Sequence, residues 1–418
     1  MSADLHLFGP FRQIVTMAGL PLNGPIRDDD LAIVREGGIV LETGLIQRVG
    51  PYDELKETAV SAGARLTEFS GDLVLIPGLI DAHTHMCFAG SRAKDYALRL
   101  QGASYLEIAR RGGGIMETVK RTRMASLQEL TDLLLVRCSR QLADGVTTCE
   151  VKSGYGLTVS DELKMLHAIQ SANEQHPIDL MPTCLAAHIC PPEFNNPLAY
   201  IQYLVRELLP EVRKQNLSRR IDIFVEKSAF GEEDARVYFR AALDLGFSLT
   251  IHADQFTVGG SGLAAEFGAA SADHLEACGA AEIAALVRGG VTGTVLPGAT
   301  LGLGMQHAPA RRMLNAGMCI AIASDWNPGS APMGDLLVQA ALLGIYERLS
   351  IAETLAGMTF RAAHALQLTD RGCLAPGNKA DLAAFACNDY REIFWQQGKL
   401  KPACVWKNGK LRDSNRDN

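Results

Sequence analysis

Much is scarce or missing in this chain of 418 residues, and each omission removes a class of function. Ten cysteines are present, yet no two stand as C-x-x-C, which argues against a zinc ribbon or an iron–sulfur cluster. Scattered from Cys87 to Cys404, they read as reduced core residues rather than a disulfide framework, and a cytoplasmic location is expected. The N-terminus M-S-A-D-L-H-L-F-G-P has no basic region followed by an apolar run, so no signal peptide is expected. No uninterrupted apolar window reaches the roughly 18 residues that suggest a bilayer span, so no membrane partner is expected. Lysine and arginine total 40 against 47 acidic residues, a net charge of −7, and no basic stripe offers itself to a phosphate backbone, so nucleic acid is not an expected partner. Aromatic residues make up only 6%, which leaves packing to Ala, Leu, Ile, Val and Met. No G-x-G-x-x-G follows an early strand, which weakens a dinucleotide fold. Gly112-Gly113-Gly114-Ile115 lacks the lysine and hydroxyl residue of a P-loop and reads instead as a mobile or backbone-donating loop.

What is present is strand and helix in alternation. The 40 glycines suit an α/β protein with tight strand-to-helix turns. Strand-like runs at 73–80, 146–151, 178–185, 221–225, 248–251, 291–296 and 319–323 alternate with amphipathic stretches. Among these, Leu127–Ala143 sets Leu127, Leu130, Leu134, Cys138 and Leu142 near one face and stops before Gly145. Residues 351–366 read as one long helix. Some eight strand opportunities favour a (β/α)8 TIM-type barrel over a doubly wound sheet. Both chain ends are β-rich, with short runs at 31–34, 38–41, 45–49, 380–386 and 402–407, the last entering a hairpin at Asn408-Gly409. Residues 1–74 and 374–418 are therefore expected to form one small β-sandwich beside a catalytic barrel over 75–373. Residues 414–418 read as a disordered polar tail.

Chemistry gathers where the apolar runs finish. Leu73–Gly90 reads L-V-L-I-P-G-L-I-D-A-H-T-H-M-C-F-A-G, and strand alternation points His83 and His85 the same way while Thr84 points away. His188, Glu226, His252, His274 and Asp325 follow later, at the rim where barrel enzymes keep their active sites. A lone histidine at a strand end is more often a hydrogen-bonded structural residue than a ligand; recurrence at one rim is harder to treat as packing. His83, His85, His252 and Asp325 make the best metal set, suited to one divalent ion, zinc or iron, with a position left for water. Asp325 could also take a proton from that water, although a bland reading has it capping the next turn. Lys152, in C-E-V-K-S-G-Y-G-L, raises the possibility of a carboxylated lysine bridging two metals. Arg92 suits an anionic substrate tail, because a guanidinium grips a carboxylate bidentately; the plainer alternative is a surface arginine. Tyr155, flanked by Gly154 and Gly156, could cover a small planar substrate. His188 could polarise a reacting carbonyl, His274 could hydrogen-bond the nucleophile or carbonyl, and Glu226 and Gln255 could hold ring nitrogens.

These segments resemble the metal-dependent amidohydrolase superfamily. The resemblance runs through I-D-A-H-T-H-M-C-F-A-G-S-R, G-G-G-I, E-V-K-S-G-Y-G-L, A-A-H, H-A-D-Q, S-A-D-H-L-E, A-S-D-W-N-P-G and the closing R-G-C-L-A-P-G-N-K-A-D-L-A, and so spans nearly the whole chain. H-T-H and the late aspartate mark only the superfamily. V-K-S-G-Y-G-L with F-A-G-S-R and S-A-D-H-L-E is similar to the members that open an imidazolone ring in histidine degradation. That likeness implies metal ligands at His83, His85, His252 and Asp325 and catalytic roles for Asp325, His274 and His188. It implies substrate contacts at Arg92, Tyr155, His188, Glu226, Gln255, Asn327 and Gly329, and a lysine at 152 that bridges no metals. The substrate implied is a small anionic imidazolone, 4-imidazolone-5-propionate, hydrolysed to N-formimino-L-glutamate. Gln255 stands where some members carry Glu; an amide cannot be a general base, so proton handling is expected of Asp325 and His274. An aminohydrolase that deaminates a heteroaromatic ring with the same metal set is the nearest alternative, and a catalytically silent barrel is a more distant one. A homodimer is expected.

Overall fold

The computed structural model describes residues 5–69, 71–103, 107 and 110–414 and organises them around two eight-stranded sheets. The chain opens with Leu5–Val15 (β1), Ile33–Glu42 (β2), Leu45–Pro51 (β3), Arg65–Glu68 (β4) and Leu73–Pro77 (β5). Eight short strands follow: Leu79–Asp81 (β6), Val146–Lys152 (β7), Asp179–Ala187 (β8), Arg220–Ile223 (β9), Ser248–Ala253 (β10), Ser271–His274 (β11), Thr292–Val295 (β12) and Ile320–Ile322 (β13). Leu382–Ala386 (β14), Pro402–Lys407 (β15) and Lys410–Ser414 (β16) complete the set.

β6 to β13 pair in parallel and in chain order. The first and last strands then meet, as His85 N donates to Trp326 O at 3.0 Å and Asp325 N donates to His83 O at 3.0 Å. This is the TIM-type barrel expected from the alternation. Its closing seam passes through His83, His85 and Asp325, so closure itself brings the two ends of the motif set together.

Helices pack outside the strands for local reasons legible in sequence. Leu127–Ala143 begins in a capping box, Ser126 Oγ accepting from Glu129 N at 3.1 Å while the Glu129 carboxylate accepts from Ser126 N at 2.7 Å. Leu130, Leu134, Cys138 and Leu142 are buried as the periodicity predicts; Leu127, in the first turn, is 44% exposed. The stretch expected as one helix is two, Ile351–Gly357 and Phe360–Ala365, broken at Thr359 where the backbone turns to φ −129°, ψ −107°.

The other sheet runs β16-β15-β14-β5-β1-β2-β3, with β4 on β1, and so interleaves both chain ends into the small accessory β-sandwich. The Asn408-Gly409 hairpin forms with both residues at positive φ. β1 escapes sequence reading because Gly9-Pro10 interrupts it; the pairing register with β2 shifts between Phe8 and Phe11, the irregularity a proline without an N–H requires. β5 belongs to this sheet through to Pro77, so the expected join at 74/75 falls inside a strand. Ser414 ends β16, and the remainder of the polar tail, 415–418, lies outside the described residues. The two sheets are pinned by Asp179 at the start of β8, which stands 2.5 Å from Arg371 Nη1 and 2.9 Å from the buried Lys407 Nζ.

Candidate metal centre and substrate cavity

His83, His85, His252 and Asp325 come from sites 242 positions apart and meet at the barrel mouth, every one of them at most 3% exposed. His85 Nε2 lies 3.3 Å from His83 Nε2 and 3.3 Å from His252 Nε2. Asp325 Oδ1 lies 3.5 Å from His83 Nε2 and 3.4 Å from His85 Nε2. Burial pushes His83 and His85 well below the usual imidazole range, and lowers His252 despite the nearby Asp222. Neutral imidazoles with lone pairs turned on one another and on a carboxylate oxygen repel unless a cation sits between them.

The outer ring nitrogens fix this orientation. His83 Nδ1 donates to Asp273 Oδ2 at 2.6 Å, and because an ionised carboxylate can only accept, the Nε2 lone pair faces inward. His252 Nδ1 stands 3.0 Å from Asp222 Oδ2. Burial favours a neutral Asp222, but His252 and Lys152 hold its carboxyl below the usual range. Lys152 stands among the carboxylates Glu150, Asp222 and Asp273, and Arg220 beside Glu150. The donor set of three inward-facing imidazoles and one carboxylate fits a divalent cation.

His274 also comes close; His83, His252 and His274 can each offer a nitrogen within 4.8 Å of the others. It differs from the other three in its partner. Its Nδ1 stands 3.4 Å from Glu276 Oε1, and although burial opposes charge, Glu276 raises it above the usual imidazole range. His274, at the end of β11, and Asp325, just past β13, both hold positive φ, +84° and +51°, a strain that clusters at this rim. Burial pushes Asp325 up to about 7. Its Oδ2 accepts from Asn327 Nδ2 at 2.9 Å, which leaves Oδ1 to face the histidines.

A cavity of about 280 Å³ opens over this cluster, and Arg92, Tyr155, His188, Gln255, His274, Asn327 and Gly329 all line it. The Arg92 Nε is held by Asp95, which also accepts from Gly114 N at 2.9 Å, so the triple-glycine loop does donate a backbone N–H, to a side chain. His188 is held near 3 by burial, hence neutral, and its Nδ1 donates to Gly154 O at 3.0 Å. Its Nε2 therefore presents a lone pair and can accept but not donate. That removes the expected role of polarising a carbonyl. Gly154 is needed there: at φ +110° a Cβ would lie 2.8 Å from Leu185 O and 3.0 Å from the His188 ring.

Two other expectations change on inspection of contacts, those for Glu226 and Asn327, while Lys152 keeps the place that the resemblance implies. Glu226 does not line the cavity: its carboxylate accepts from Phe256 N and Thr257 N at 3.0 Å each and from the Thr257 hydroxyl. It braces the loop that carries Gln255 and Phe256 instead of holding ring nitrogens. Asn327 spends its amide on Asp325, Ser330 and the N–H of Gly329, so it shapes the loop and orients Asp325. Lys152 is wholly buried, 2.8 Å from both Glu150 and Asp222, and these carboxylates raise it above the usual ammonium range against burial; it is a charge partner and bridges nothing.

Sequence reading misses Asp95, Arg99, Phe224, Phe256 and Leu303 in the cavity wall and the carboxylates Asp222 and Asp273 behind the histidines. The signal for the latter was present: a carboxylate within the apolar runs I-D-I-F and S-A-D-H, which a buried strand excludes unless it is paired.

A sequence profile of the Amidohydrolase family matches residues 74–412. The chain is 41% identical to the imidazolonepropionase of Symbiobacterium thermophilum over 98% of this chain and 97% of that one. It is 42% identical to that of Myxococcus xanthus over 92% of each, and 40% identical to that of Bdellovibrio bacteriovorus over 92% of this chain and 90% of that one. Among solved structures, a triazine hydrolase variant superposes with a TM-score of 0.72 at 18% identity, covering 99% of this chain and 95% of the other. An adenosine deaminase from Xanthomonas campestris with bound zinc gives 0.68 at 17%, covering 99% and 93%. At such identities these two carry the fold alone. The sequence relatives carry more: the chain belongs to the imidazolonepropionase family of amidohydrolases.

Proposed function

We propose that the chain hydrolyses the cyclic amide of 4-imidazolone-5-propionate to N-formimino-L-glutamate, a step of histidine degradation. The observation that carries this reading is the convergence of three Nε2 atoms and Asp325 Oδ1, at 3.3 to 3.5 Å, beneath a cavity walled by Arg92, in a chain about 40% identical to imidazolonepropionases over nearly its whole length. His83, His85, His252 and Asp325 hold one divalent ion, zinc or iron(II). When bound, that ion would supply Lewis acidity to a water and to the carbonyl oxygen.

The remaining chemistry belongs to side chains. Arg92 grips the propionate, held in aim by Asp95, and supplies binding energy remote from the bond that breaks. Tyr155 covers the ring, while His188 accepts a ring N–H at its Nε2. Water attacks the carbonyl carbon and gives a proton to Asp325. His274, whose protonated form Glu276 favours against burial, donates from Nε2 to the developing oxyanion. As the C–N bond breaks, Asp325 returns its proton to the departing ring nitrogen. A carboxyl that burial raises is suited to taking and returning one proton near neutral pH. Gln255 only orients.

Incubation of metal-loaded protein with 4-imidazolone-5-propionate should yield formiminoglutamate mole for mole without ammonia. Ammonia release without ring opening would support the deaminase reading instead. We take residues 75–373, apart from 75–77 of β5, as the catalytic unit and 1–74 with 374–418 as its accessory unit, and propose a homodimer, which sedimentation tests. Nine free cysteines between Cys87 and Cys387 support a reducing, cytoplasmic setting; in the described residues no helix is long and apolar enough to cross a membrane.

A further inference from the structure

Behind the histidines the barrel interior is charged, and a single ammonium organises it. Lys152 Nζ on β7 lies 2.8 Å from Asp222 Oδ2 on β9 and 3.5 Å from Asp273 Oδ2 on β11. Alternate strands of a parallel barrel send side chains into a common layer, which is how one lysine reaches both. The same two oxygens meet imidazoles on their other side, Asp222 Oδ2 at 3.0 Å from His252 Nδ1 and Asp273 Oδ2 at 2.6 Å from His83 Nδ1. The ammonium thus forks through two carboxylates to two rings. Glu150, 2.8 Å from Nζ, completes the shell, with Arg220 at 3.6 Å from its other oxygen.

We infer that Lys152 is a positioning residue for the metal centre, a buried cation that holds Asp222 and Asp273 in place so that His252 and His83 keep their Nδ1 protons outward and their Nε2 lone pairs on one point. The inference rests on the reading of those two histidines as ligands. Without the ammonium, Glu150, Asp222 and Asp273 face one another in the buried barrel interior with Arg220 reaching only the first. Like charges at that range move apart, and each ring turns with the carboxylate that holds it. The same contacts bar Lys152 from carboxylation, because an ammonium locked among carboxylates has no lone pair to offer carbon dioxide. The centre is mononuclear for that reason.

The test is metal binding by the full chain, stripped with a chelator and titrated with zinc(II) against a chromophoric competitor, and separately with cobalt(II) for its visible bands. Lys152→Met should weaken zinc binding by about 10- to 100-fold, the usual cost of losing support behind a ligand, and should alter the cobalt bands while circular dichroism stays native. Lys152→Met with Glu150→Gln removes one charge of each sign, spares Asp222 and Asp273, and decides the matter if the single variant does not fold; it should show the same loss. Lys401→Met, which breaks a lysine's contacts to Asp144 and Asp335 elsewhere, should leave zinc affinity unchanged. Folded Lys152 variants with wild-type affinity and bands would overturn the inference, and so would a loss of equal size in Lys401→Met. A second zinc equivalent taken up by the wild type in bicarbonate buffer would also overturn it. A wild-type chain that takes up no metal would sink the metal reading itself, a different failure.

Discussion

Arg92→Met tests the assignment of the substrate's tail. The guanidinium side chain is 11% exposed and its Nε is taken by Asp95, so the terminal nitrogens are what remain for a ligand in the cavity. Each charge-assisted hydrogen bond in such a setting is worth about 1.5–3 kcal/mol. Two of them to a carboxylate, discounted for water that replaces them in the variant, give about 3 kcal/mol, or roughly 150-fold in kcat/KM. Most of the loss should appear in KM, because the carboxylate is gripped equally before and during bond breaking. The variant strands the buried Asp95, whose remaining hydrogen-bond partner among the described residues is Gly114 N at 2.9 Å. Arg92→Met with Asp95→Asn should therefore recover stability without recovering kcat/KM. The assay is steady-state ring opening of 4-imidazolone-5-propionate beside an analogue whose propionate is replaced by propyl. Wild type should handle the analogue about as poorly as the variant does, and the variant should lose nothing further on it. An equal loss on both substrates would refute the reasoning, since it would show that Arg92 shapes the site and does not read the charge.

Other outcomes follow from the same geometry. Asp325→Asn should lower kcat by at least about 10³-fold even with metal present, because an amide can neither take nor return the proton; metal analysis beside kinetics checks it. Gln255→Glu should change kcat/KM by less than about 3-fold, under ~1 kcal/mol, because a carboxylate keeps an orienting oxygen there, and a large loss would show that the amide makes a specific substrate contact. Asp179→Asn should destabilise the chain by about 1–2 kcal/mol near pH 7, a modest figure because the group is a third exposed and solvent screens it. Burial alone would raise Asp179, but Lys407 and Arg371 lower it below the unfolded value. Its stabilisation is thus full above the unfolded pKa of about 3.9 and is lost as pH falls through the lower folded value, so the gap between variant and wild type should close in acid. Urea titrations at several pH values measure it.

The parts legible in sequence are those that local pattern controls. His83, His85, His252 and Asp325 could be read because each ends an apolar run, and the barrel rule places such ends on one rim. The Leu127–Ala143 helix could be read because its cap and stripe are contained within it. Illegible parts depend on partners far away in the chain. Glu226 is a carboxylate just beyond a strand like the others, and only the fold shows the loop at 256–257 wrapping it. His188 reads as a donor until Gly154 O is seen to claim its proton. Lys152 has two readings that differ only in whether Asp222 and Asp273 reach it, and those lie 70 and 121 positions further on.

Metal stoichiometry of activity tests the account most directly. Protein stripped by a chelator should lose ring-opening activity, and stepwise zinc(II) or iron(II) should restore it along a straight line that breaks at one equivalent per chain. Full activity in verified metal-free protein, or a break at two equivalents, would contradict the single centre formed by His83, His85, His252 and Asp325.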